Sequence, residues 1–269
     1  MLGRRVFMAA LGALLVTGVA ASPSAALSTN NPQWHRCEKG ASGPKFKDSS
    51  CDEAFETGEF AELTLETGTR EIKAKATSSQ ELVLGETSIL CKKLAFATGA
   101  KVTGAGAESL SGGEATIKDE ECDVVGKPAC EINKAKAGEA VIATKPLKAT
   151  EAYRTKAAAE KEEANFATLL EPKELTEGKQ VYATIELSGT CPVLGKVNIE
   201  GELALEVASG AKHQASLELV APKTAIAAVF VNVEKKSAEK VVKKTKEGSF
   251  GGGLAIELAN EAAWWLMHK

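Results

Sequence analysis

The chain is poor in aromatic side chains, poor in histidine and nearly balanced in charge, and each shortage closes off a class of function. Phe, Trp and Tyr together make up only 5% of 269 residues. Sugar-reading faces stack their ligands on aromatic rings, so such a surface is disfavoured. Trp34, Trp264 and Trp265 are the only tryptophans, and Ala, Val, Leu and Ile must fill most of the core. The formal charge is −3, from 33 basic and 36 acidic residues. That balance offers no basic patch for nucleic acid or an anionic membrane. Lysine and glutamate interleave, as at Glu234-Lys235-Lys236 and Glu239-Lys240, which describes a solvated surface.

Catalytic signatures are missing as well. No Gly-x-Ser-x-Gly elbow occurs. The histidines stand at His35, His213 and His268, beside a cysteine loop, in a polar turn and next to the last residue. Such positions suit exposed loops better than general bases. No Cys-x-x-Cys occurs, so zinc-ligand spacing is absent. Asp119-Glu120-Glu121-Cys122-Asp123 is the densest acidic cluster. It lacks the alternating ligands and central glycine of a calcium loop and reads as a solvated strand end. Gly189-x5-Gly195-Lys196 misses a phosphate-binding loop by one residue, and Val197 replaces its hydroxyl side chain. Cys191-Pro192 suits a hairpin turn there. No catalytic, cofactor-binding or metal-binding residue is assigned. Glycosidases need only two carboxylates about 5–10 Å apart, a pairing no linear pattern displays, so a secreted carboxylate-dependent hydrolase stands as the alternative.

What the sequence does contain is an export signal. Arg4 and Arg5 precede an apolar stretch, Val6 to Ala21, and small residues permit cleavage after Ala21 or Ala26. The stretch is shorter than the roughly 20 residues that span a bilayer, so residues 1–26 read as a cleaved signal peptide that leaves no anchor. The paired arginines fit an ordinary Sec signal and also resemble the twin-arginine pattern. Either route delivers the chain to the extracellular space or cell envelope.

All six cysteines follow this signal. An even number in an oxidising compartment predicts three disulfides, for which 15 pairings exist. Spacing favours Cys37 with Cys51 around a short polar loop, and Cys122 with Cys130 around Gly126-Lys127-Pro128. Cys91 and Cys191 then form a long-range staple. A weak internal echo supports that staple: Ile89-Leu90-Cys91 precedes Gly99-Ala100-Lys101-Val102, as Ile185 to Cys191 precedes Gly195-Lys196-Val197.

Strand-like alternation begins at Phe60. Glu71 to Ala76 alternates charged and apolar residues, and short runs recur at Leu82–Leu84, Ser88–Cys91, Val181–Leu187, Lys196–Glu200, Ser216–Val220, Ala227–Val233, Leu254–Leu258 and Ala262–Met267, punctuated by glycine turns. The expected fold is all-β, an antiparallel sandwich or open barrel over residues 61–269, preceded by a leader and disulfide loop at 27–60. Residues 151–165, rich in Ala, Glu and Lys, suit a helix by propensity and a hairpin by their lack of an apolar stripe. Ser237 to Glu247 shares the ambiguity and is expected to be mostly strand. In Trp264-Trp265, alternation turns one indole to the core and the other outward. The outward one either anchors a partner or second copy, or covers the sheet end.

The order Trp34-x-x-Cys37, Phe46-x-Asp48-x-x-Cys51, Phe55, Gly58-x-Phe60, Ile89-x-Cys91, Cys122…Cys130, Ala143-Thr144-Lys145-Pro146-Leu147 and Cys191…Gly201 resembles a group of secreted, β-rich, cysteine-patterned proteins of soil actinobacteria that carry no assigned activity. The resemblance implies fold and localisation, supplies no catalytic residue, and favours a hairpin over residues 148–165. The resulting expectation is a secreted or envelope-associated structural or binding protein without catalysis. An enzyme would show a concave pocket with two inward acids; a binding or structural module would show a filled interior.

Overall fold

The computed structural model describes residues 32–65, 68–104, 112–153, 166–207, 216–232 and 242–267. Residues 1–26, read from the sequence as a signal peptide, residues 154–165, His213 and His268 lie outside them. Every regular element among the described residues is a strand, and all named pairings are antiparallel. The expected all-β class is correct.

The molecule is organised around one long hairpin. β17 (Ser216–Asn232) and β18 (Val242–Leu258) are 17 residues each and pair from Ser216 opposite Glu257 to Asn232 opposite Val242. The ladder shifts register between Ala221 and Thr224, where Pro222 has no N–H to give it. On the facing strand stand Gly251, Gly252 and Gly253. A Cβ on Gly252 would lie 2.2 Å from Gln80 Oε1, and its φ is +149°. Glycine there admits the buried Gln80 side chain, whose Nε2 donates to Gly253 O at 2.9 Å.

This waist divides the hairpin between two curved sheets. The first half of β17 pairs through β16 (Leu203–Val207), β13 (Phe166–Pro172), β12 (Leu147–Tyr153), β8 (Gly112–Ala115), β7 (Lys101–Thr103) and β4 (Thr69–Ala76) to the end of β18, closing a barrel. The second half of β17 pairs with β15 (Gly195–Glu200) and then β14 (Val181–Gly189). From the other side, the start of β18 pairs through β5 (Gln80–Leu84), β6 (Thr87–Phe96) and β9 (Ile117–Val124) to β11 (Ala140–Ala143). A Thr144–Ala183 bridge and a 2.8 Å bond from Lys145 N to Tyr182 O join the two sides. β10 (Cys130–Ile132) extends the edge of β14.

A separate four-stranded sheet, in the order β19 (Trp264–Met267), β1 (Gln33–Lys39), β3 (Phe60–Thr64), β2 (Lys45–Phe46), joins the two ends of the described chain. Trp34, within the expected leader and loop segment 27–60, is in β1 and 3% exposed. β3 runs across the boundary expected between residues 60 and 61.

The cysteine scheme needs correction. Cys37 and Cys51 are bonded as expected, but the other bonds are Cys91–Cys122 and Cys130–Cys191, so Cys91–Cys191 and Cys122–Cys130 do not form. Ladder register is the reason. Cys91 of β6 lies directly opposite Cys122 of β9, and Cys130 of β10 lies opposite Gly189, two residues from Cys191. The turn between Cys122 and Cys130 leads them into different strands, each with its own neighbour.

The partner edge at Trp264 and Trp265 is also corrected, since both are buried, at 1% and 0% exposure. Alternation holds. Trp264 stacks on Trp34 at 4.5 Å between centroids and joins the main core. Trp265 faces the other way, but the loop closed by Cys37–Cys51 covers that face.

Candidate functional site

An open groove of about 750 Å³ lies over the outer face of β14 and β15. Period-two alternation builds its floor. Ile185, Leu187, Val197 and Ile199 point inward and are buried, which sends Thr184, Glu186, Ser188 and Lys196 outward. Polar contacts fix these side chains. Thr184 Oγ1 donates to Asn198 Oδ1 at 2.9 Å, and Ser188 Oγ donates to Glu131 Oε2 at 3.0 Å. Asn133 ties three segments together. Its Oδ1 accepts from Glu186 N at 2.9 Å, and its Nδ2 donates to Val141 O at 3.0 Å. Leu194, half exposed, supplies an apolar wall. The Cys130–Cys191 bond pins the segments that carry Asn133 and Leu194. The near-miss phosphate loop is the β14–β15 turn, with Gly189 and Gly195 at φ +74° and +106°.

Among the described residues two carboxylic acids are buried inside. Glu151 of β12 is 2% exposed and accepts a 2.7 Å bond from Thr168 Oγ1, its directly opposed neighbour on β13. Burial raises its pKa to about 8, partly opposed by that bond. Its chamber, about 30 Å³, is bordered by Trp34 and Trp264. Asp119 of β9 is 7% exposed, and its Oδ1 has no hydrogen-bond partner among the described residues. Burial raises its pKa to about 7. Its chamber, about 20 Å³, also holds Thr144 and Tyr182. Burial, with the Asp119 charge added, keeps the Tyr182 phenol well above its ordinary range.

Raised acid pKa values often mark catalysis, yet these two acids border different chambers. Each chamber has room for about one or two waters. A second carboxylate at the first chamber, Glu114, is half exposed and held by Lys173 at 2.7 Å and Lys101 at 3.4 Å. The Lys173 bond leads in lowering its pKa.

The acidic cluster is dispersed by strand geometry. Asp119 points inward, Glu121 pairs with Lys93, and no group of three metal-ligating side chains forms among the described residues. His35 accompanies Glu62 at 2.8 Å and stacks on Trp265. Burial lowers its pKa while Glu62 opposes the shift. Sequence reasoning passed over Glu151, within an alanine- and lysine-rich run, and treated Asp119 as solvated. The available signal was period two: Asp119 falls in step with Ile117, and Glu151 directly precedes Ala152 and Tyr153 on a strand buried along both faces.

No family model matches the chain, and no curated protein or solved structure resembles it.

Proposed function

We propose that this is an exported, disulfide-stapled β protein with a binding or structural role outside the cytoplasm, meeting its partner through the β14–β15 groove. The observation that carries the reading is the filled interior. Both chambers are of water size, and a concavity of about 750 Å³ lies on the outer face of the described residues. Three disulfides are consistent with an oxidising compartment. The export signal read from Arg4 to Ala26 supports the same placement. The hydrolase alternative loses support because its two buried acids border separate chambers.

A Leu194→Asp, Lys196→Glu double variant tests the groove. Both side chains are on the surface, so folding and secretion are expected to match the native chain. Retention on the native cell-envelope fraction is expected to fall at least severalfold. Equal retention of native and variant proteins would reject the groove as the contact surface.

A further inference from the structure

We propose that the chamber of the first barrel is a halide-ion site, with the indole N–H groups of Trp34 and Trp264 and the carboxyl of Glu151 as its donors. The starting observation is two unanswered hydrogen-bond donors. Trp34 and Trp264 are 3% and 1% exposed, and neither Nε1 has a partner among the described residues. Leaving a buried donor unmade costs about 1–3 kcal/mol, so two at the wall of one chamber call for an acceptor. Their rings stack at 4.5 Å, and both border the space that Glu151 also borders.

The rest of the lining selects the kind of acceptor. Ile72, Val102, Leu205 and Ile256 offer no polar atom. Glu151 is protonated up to a pH of about 8. With Oε2 accepting from Thr168 Oγ1, its proton on Oε1 is a third donor. Lys101 and Glu114 are the other titratable groups at the chamber, and Lys173 shares Glu114 with Lys101. A water would have to turn its own protons toward apolar wall or the carboxyl groups of Glu151 and Glu114, whereas a halide only accepts. The volume of about 30 Å³ has room for a monatomic ion.

Bromide is the probe, because it quenches tryptophan fluorescence and scatters anomalously. At pH 6 the native chain should show a saturable quenching component, and crystals soaked in bromide an anomalous peak beside Trp34 and Trp264. Trp34→Phe keeps an aromatic ring, smaller than the indole, and removes one donor; the half-saturating concentration should rise about tenfold or more. Native binding should be lost as pH rises through about 8, where Glu151 ionises. Glu151→Gln, neutral and still a donor, should retain binding at pH 9. Quenching that is linear in bromide and unchanged by Trp34→Phe, or a chamber filled by water in bromide-soaked crystals, overturns the proposal.

Discussion

Glu151 shows how a single buried group sets a pH response for the whole chain. In the unfolded state its carboxyl ionises near 4.5, and in the native state near 8. Between those values the native state holds the extra proton, so stability is fully present below about 4.5 and is lost as pH rises through about 8. The cost reaches on the order of 4–5 kcal/mol for such a shift. Asp119 adds a smaller loss that is complete near pH 7. Urea denaturation should therefore give a lower midpoint at pH 9 than at pH 5, and Glu151→Gln should remove much of the difference. A native midpoint that rises with pH over this window would contradict the burial of both acids. Trp265 carries a second residue-scale prediction. It is wholly buried against the Cys37–Cys51 loop, so Trp265→Ala should cost about 3–5 kcal/mol and leave the sedimentation coefficient of the folded fraction unchanged. A change in oligomeric state without loss of stability would restore the exposed-edge reading.

At the scale of elements, strand existence was legible and strand neighbours were not. Alternation at Glu71–Ala76 and Val181–Leu187 is local, and those segments are strands. Pairing depends on register between segments far apart in sequence, which explains why Cys122 was assigned to Cys130 across a turn rather than to Cys91 across a ladder. The same limit hid the cover over Trp265, because a loop near the start of the chain supplies it. Only the pairing of β17 with β18 shows that Pro222 and Gly251-Gly252-Gly253 face each other at the waist. Gly252→Ala places a Cβ against Gln80 at a positive φ. It should lower stability by about 1–3 kcal/mol, and unchanged thermal unfolding would remove the waist from this account. Replacing Cys130 and Cys191 together by alanine releases a loop of separation 61, at a cost of about 4 kcal/mol in the chain-entropy model.

The whole molecule is a pair of curved sheets that share one hairpin and are stapled at three places. Its N-terminal and C-terminal strands close together in a small sheet of their own. In the proposed reading the partner meets the β14–β15 groove, where concavity, polar side chains and an exposed leucine coincide. Export and bond formation are coupled in this account, since Cys91–Cys122 and Cys130–Cys191 lock strands whose neighbours come from distant parts of the chain. The most direct measurement is non-reducing peptide mapping of the full-length gene product recovered from the culture medium and envelope. The account predicts three linked peptide pairs, Cys37 with Cys51, Cys91 with Cys122 and Cys130 with Cys191, in material lacking its first residues. Protein held in the cytoplasm with free thiols, or linked in a different pattern, would contradict it.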